Sequence, residues 1–156
     1  HMLGERTPRR DPLAKGVFFG LTNAHNAGHV YRALLEGVAY ALRESYQHAY
    51  LPLNRVVIGG GGGKSPLWRQ IIADVLNRQL EYISGADNAL GTAYLAGLSL
   101  GVFDTIKEEW LEKKQLITPD PVAASRYEST FEFYKELNAA MRPLYARHAR
   151  FEFAGE

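Results

Sequence analysis

The residues that offer this chain most of its chemistry stand together as Gly59-Gly60-Gly61-Gly62-Gly63-Lys64-Ser65. A glycine run lets the backbone turn sharply and approach a ligand with no Cβ in the way. Ser65 has the side chain of a helix N-cap, and Pro66 the fixed φ of a first helical residue. The run should therefore end at a helix N-terminus, where exposed N–H groups could meet a nucleotide. Before it stand three β-branched residues, Val56, Val57 and Ile58, which predict a short buried strand from about Arg55. The glycines are read as an open turn outside any helix. A turn that merely joins strand to helix is the competing reading. So many consecutive glycines cost conformational entropy that a connector does not need, and this favours a binding turn.

Two phosphate-binding motifs miss by one position. In a P-loop the first glycine would fall on Ile58, and in a dinucleotide fingerprint starting at Gly59 the third would fall on Lys64. The second miss argues against a Rossmann-type dehydrogenase, and the first makes Lys64 a surface lysine, not a phosphate ligand. His25 and His29 are four residues apart without an acidic partner, so capping or packing is a better reading than zinc.

The elements that must hold this turn can be read from periodicity. A helix behind it would bury Leu67, Trp68, Ile71, Ile72, Val75 and Leu76. Upstream, Leu3 to Lys15 reads as an extended loop whose charges (Glu5, Arg6, Arg9, Arg10, Asp11) are solvated, and Gly16 to Leu21 as a strand or packed loop. Helical spacing runs from His29 to about Tyr50, with Val30, Leu34, Gly37, Val38, Ala41, Leu42 and Ser45 on one stripe. Gly37 in mid-helix suggests a close neighbour. Downstream, Leu80 to Ser84 predicts a second strand, with Asp87 or Asn88 capping a small-residue helix, Ala89 to Leu100, that should pack tightly and stop at Gly101. Asp104 to Gln115 reads as an exposed helix. The stripe Tyr127, Phe131, Tyr134, Leu137, Met141, Tyr145 predicts a long amphipathic helix ending near Pro143 or a little beyond, packed on its own domain rather than stacked on bases. Alternation of helix and strand argues for an α/β layered fold with a short sheet flanked by helices.

A net charge of +1 gives no electrostatic case for nucleic acid or an acidic membrane surface, and the absence of cysteine excludes thiol chemistry and Cys-ligated metals. No apolar run approaches the ~20 residues of a membrane span. Residues 1–2, His1-Met2, read as the remnant of a cleaved tag, residues 3–150 as one domain and residues 151–156 as a tail.

Several stretches together resemble the FGGY family of carbohydrate kinases, and most closely its xylulose kinase branch. They are GERTP with the following DP (Gly4 to Pro8, Asp11-Pro12), KGVFFGL (Lys15 to Leu21), RALLEGVAYALR (Arg32 to Arg43), GGGGGKSPLWRQIIADVL (Gly59 to Leu76) and ALGTAYLAG (Ala89 to Gly97). Two positions depart from the family pattern: Leu34 is bulkier than expected, and the glycine run is longer. The resemblance implies part of an actin/hexokinase/ribonuclease-H-like ATPase domain, the adenosine-holding part of the C-terminal half of an ATP-dependent sugar kinase. It implies that Gly60 and Gly61 approach the nucleotide, that Gly62 and Gly63 shape the turn, and that Ser65 offers its hydroxyl near adenosine. ATP, with magnesium as MgATP in the parent enzyme, and a sugar held by an N-terminal domain are the implied ligands, in the cytoplasm.

The family's catalytic base is an upstream aspartate, and none of Asp11, Asp74, Asp87, Asp104 or Asp120 stands in a matching motif. No catalytic or metal-binding residue is therefore assigned, and the fragment alone is expected to be inactive. The alternative is a freestanding nucleotide-binding or scaffold module without catalysis. Missing upstream strands should leave the edge of the Val56–Ile58 layer and parts of two helix faces uncovered, and a homodimer is expected to cover them. Gly16 to Leu21 folding back as the missing strand is the competing outcome.

Overall fold

The structure, a computed structural model, describes residues 4–49, 55–85, 88–105 and 114–152. They belong to two compact units, one drawn from residues 1–51 and 125–156, the other from residues 52–124.

In the second unit, β1 (Val56–Ile58) leads through a four-residue helical turn, α2 (Gly60–Gly63), into α3 (Pro66–Leu76). β2 (Leu80–Ile83) returns parallel to β1 with Val56 opposite Leu80, and α4 (Asn88–Ser99) follows. β3 (Lys114–Ile117) closes the sheet antiparallel to β2, with Leu80 opposite Ile117, in the order β1-β2-β3. A parallel pair needs a helical crossover, which is why α3 lies between β1 and β2 in sequence. Val56, Ile71, Ile72, Val75, Leu80, Ile83 and Ile117 are buried and form the apolar core of this unit. Gly101 ends α4 at φ +67°: its N–H donates to the Leu98 carbonyl and the Val102 N–H to that of Gly97, a left-handed stop that suits glycine.

Two expectations change here. Lys114 and Gln115 are strand, not helix, because pairing with β2 satisfies their backbone and buries Ile117; residues 106–113 of the expected helix lie outside the described residues. The small residues of α4 allow a close approach only at Gly97, where an added Cβ would stand 2.2 Å from the Phe103 ring, whereas Gly91, Ala93 and Ala96 are exposed. Asn88 opens α4, and Asp87, the other expected cap, lies outside the described residues.

In the first unit, α1 (Ala27–Ala49) packs on α5 (Pro121–Glu152). The Tyr40 ring meets Tyr127, Phe131 and Tyr134 at centroid distances of 6.1, 5.9 and 5.3 Å, and its hydroxyl lies 2.7 Å from Thr130 Oγ1. Arg43 reaches Glu128 at 2.6 Å. The aromatic stripe of α5 is thus packed inside the unit, and the helix runs through Pro143 because Tyr145 and Ala149 beyond it are buried. Phe151 and Glu152, expected in the tail, belong to α5.

The face of α1 is the larger correction. Ala39, Tyr40 and Glu44 are buried, while Leu34 and Val38 of the expected core stripe are 43% and 53% exposed. Aromatic and charged partners on α5 select the more polar face, and the apolar stripe is left outward. Among the described residues no atom stands within 4 Å of a Cβ added at Gly37, so none of them supplies the expected close neighbour. Before α1, Asn26 Oδ1 accepts the Gly28 N–H at 3.0 Å and His25 Nδ1 accepts the Thr22 N–H at 3.0 Å, so both side chains work locally at the helix start. Gly16 to Leu21 is a loop, not a strand, and it packs only in part: Val17, Phe18, Phe19 and Leu21 are exposed, yet the Phe19 ring meets that of Phe133 at a centroid distance of 5.7 Å. Nor is Glu5 solvated, since it pairs across a two-residue bridge with Asp11 and is buried.

Candidate functional site

The Gly59–Ser65 segment lies wholly within the second unit. Ser65 caps α3 as its sequence predicts, its side chain accepting the Trp68 N–H at 3.3 Å, and Pro66 is the first helical residue. A capping hydroxyl that accepts this bond still has its own proton to donate to a ligand.

The glycines themselves differ from the open turn expected. Gly59 is extended and Gly60–Gly63 winds into one helical turn. The Lys64 N–H donates to the Gly61 carbonyl at 3.2 Å and the Ser65 N–H to that of Gly62 at 3.4 Å. Glycine disfavours helix, so the turn must be held from outside itself. Gly63 is the held end: an added Cβ would stand 3.0 Å from the Tyr82 ring and 3.5 Å from Ile58 Cγ1. Gly60 and Gly61 are the free end, with no atom of the described residues within 4 Å of an added Cβ. Gly60 has φ +67°, which suits glycine. Gly62 lies between, with Trp68 Nε1 at 3.6 Å from its added Cβ.

The expected residues therefore form one continuous segment with two different jobs. Gly60 and Gly61 expose backbone, whereas Gly63 packs. Lys64 is exposed, as expected of a surface lysine.

Sequence reasoning missed the polar side chains that brace this segment. Arg69, 7% exposed, donates from Nη1 to the Gly63 carbonyl at 2.6 Å and from Nη2 to Gln115 Oε1 at 3.2 Å. Its guanidinium carbon stands 4.2 Å from the Tyr82 ring centroid. Asp74, also buried, accepts the Asp120 N–H at 2.8 Å and the Gln70 side-chain N–H at 2.8 Å, tying α3 to the chain after β3. A signal was present: Arg69 shares a three- and four-residue spacing with buried Ile72 and Ala73. On the far edge, Arg55 holds Glu81 by two bonds of 2.9 and 2.6 Å, which lowers the Glu81 carboxyl below its ordinary value.

Among the described residues no three His, Cys, Asp or Glu side chains come together to hold a metal ion. Nor is any described helix long and apolar enough to cross a membrane.

The C-terminal domain of the FGGY family of carbohydrate kinases matches residues 1–100. The xylulose kinase of Escherichia coli (strain K12) is 38% identical over 155 residues, which cover 94% of this chain and 32% of that protein. The crystal structure of ligand-bound xylulose kinase from Lactobacillus acidophilus superposes with a TM-score of 0.77 at 27% identity, over 94% of this chain and 31% of the other. That of xylulose kinase from Rhodospirillum rubrum has a TM-score of 0.68 at 33% identity, over 86% of this chain and 28% of the other. The chain thus spans about a third of the length of the relatives it matches. The fold is the actin/hexokinase-like α/β class, and the chain belongs to the FGGY family of carbohydrate kinases, as a part of its C-terminal domain.

Proposed function

We propose that this chain is the adenosine-binding part of an ATP-dependent carbohydrate kinase, with Gly60, Gly61 and Ser65 facing the nucleotide and Gly62 and Gly63 shaping the turn that presents them. The observation that carries the reading is the open space over Gly60 and Gly61 beside a capped helix start. A flat adenosine can lie against backbone there, and the Ser65 hydroxyl can donate to it. The turn carries no side chain that would hold a phosphate chain, which suits a nucleoside contact better than a triphosphate cradle.

In this proposal the parent transfers the γ-phosphoryl group of ATP to a sugar hydroxyl, on a ketose such as xylulose. The proton of that hydroxyl is taken by a carboxylate outside this chain. Magnesium travels with the ATP phosphates, as MgATP. Residues 3–150 act as one nucleotide-side domain fragment, working in the cytoplasm and pairing with a second copy.

The test is an ADP titration followed by amide NMR. Shifts confined to Gly60–Ser65 and their neighbours are expected, with a dissociation constant of about 1 mM or weaker, near −4 kcal/mol, because half the cleft is missing. Shifts that spare the glycine turn while moving another surface would overturn the assignment.

A further inference from the structure

A buried guanidinium without a carboxylate needs a reason, because desolvating a charge is costly. Arg69 is in that position: among the described residues no acid pairs with it, and its Nε is buried without a partner. Its other nitrogens hold the carbonyl of Gly63 and the side chain of Gln115 on β3. Its planar face lies against Tyr82 on β2, the ring that also packs against Gly63. One side chain on α3 thereby connects the end of the glycine turn to two strands of the sheet.

We infer that Arg69 is a positioning residue for the glycine turn, setting where Gly60 and Gly61 present their backbone; this rests on the reading that the turn faces a nucleotide. Glycines have no side chains with which to hold their own conformation, and a helical turn of them is intrinsically weak. The Gly61 and Gly62 carbonyls accept only from the next turn of backbone, whereas the Gly63 carbonyl is held by a side chain, that of Arg69 at 2.6 Å. The fork geometry explains the residue type. Arginine donates to two acceptors at a fixed angle while stacking on an aromatic ring, and lysine does only part of this. Gln115 orients the second arm of the fork, so it belongs to the same brace.

The experiment uses the full chain with Arg69→Met, Arg69→Lys and Gln115→Ala, and reads amide hydrogen exchange and ADP titration together. In Arg69→Met, exchange at Lys64 and Ser65, whose N–H groups bond to the glycine carbonyls, is expected to quicken by about tenfold or more, while β1 and β2 amides stay unchanged. ADP binding at the turn is expected to weaken by about tenfold, with Arg69→Lys recovering part of that loss and Gln115→Ala losing about threefold. A purely structural role predicts something else: a lowered melting midpoint, exchange quickened throughout the unit, and unchanged ADP affinity in the folded fraction. That outcome overturns the inference. If ADP leaves the wild-type turn unshifted, the nucleotide reading fails separately. Exchange at Lys64 and Ser65 then decides: quickening confined to the turn supports the brace, and no change sinks it.

Discussion

The Glu5 carboxylate lies 3.6 Å from the Arg142 guanidinium with only 2% of its side chain exposed, yet its Oε1 has no hydrogen-bond partner. Burial pushes its pKa above the ordinary 4.5, against the pull of Arg142 and Arg9, and Glu44 and Asp11 push it the same way. A group whose folded pKa is raised stabilises the fold below its unfolded pKa and loses that contribution as pH rises through the folded value. Melting midpoints recorded from pH 4 upward should therefore fall for the wild type relative to Glu5→Gln once pH passes 4.5. Parallel curves for the two proteins would show that Glu5 is not coupled to folding.

Gly63 and Gly61 should respond oppositely to substitution. An alanine at Gly63 meets the Tyr82 ring at 3.0 Å, and overpacking of this kind costs about 1–2 kcal/mol. Gly61→Val meets no atom of the described residues within 4 Å at its Cβ, so any loss of stability should stay below about 1 kcal/mol. It should weaken ADP binding instead, because its branch occupies the open approach. Thermal melts and ADP-induced amide shifts on both variants separate packing from binding, and unchanged shifts in Gly61→Val would place the ligand elsewhere.

Gly97→Ala should be the most damaging single methyl in the second unit. Its Cβ would stand 2.2 Å from the Phe103 ring, and unless that ring moves aside the cost is about 1–3 kcal/mol. Combining it with Phe103→Leu should recover part of the loss. A double-mutant cycle with no coupling would mean that the ring swings away freely.

Pure chain should show no sugar-dependent ADP release from ATP. Two of its aspartates are already engaged: Asp74 holds α3 to the Asp120 backbone, and Asp120 caps α5 by accepting the Val122 N–H at 2.8 Å. Turnover that survives rigorous purification and disappears on mutation within this chain would overturn the expectation.

Self-association is expected at micromolar concentration. Among the described residues β1 pairs with β2 alone, and Gly16 to Leu21 does not supply a strand beside it. Tyr31, Leu34 and Val38 present an outward apolar stripe on α1. An unpaired edge and an uncovered apolar face both favour pairing with another chain. Light scattering should report a dimer, weakened by Leu34→Glu or Val38→Lys; a monomer mass with a cooperative melt would rule this out.

By itself, the sequence determined the elements near the glycines: β1 within a residue, the Ser65 cap, α3 from Pro66, β2, and the left-handed stop at Gly101. These follow from local chemistry, namely β-branching, a capping hydroxyl, a proline φ and a glycine free to take positive φ. The family resemblance was equally readable, because it rests on motif order. Tertiary structure decided what depends on partners distant in sequence. Gly60–Gly63 became helical because Arg69 and Tyr82 hold Gly63 from outside. Lys114 and Gln115 became strand because β2 offered an unpaired edge. On α1 the face turned inward is the one whose Arg32, Glu36, Tyr40 and Arg43 find Tyr127, Thr130 and Glu128 on α5, hydrogen-bonded pairs that no apolar periodicity records. Periodicity shows that a helix has an apolar side; which side is covered depends on what the rest of the molecule brings to it.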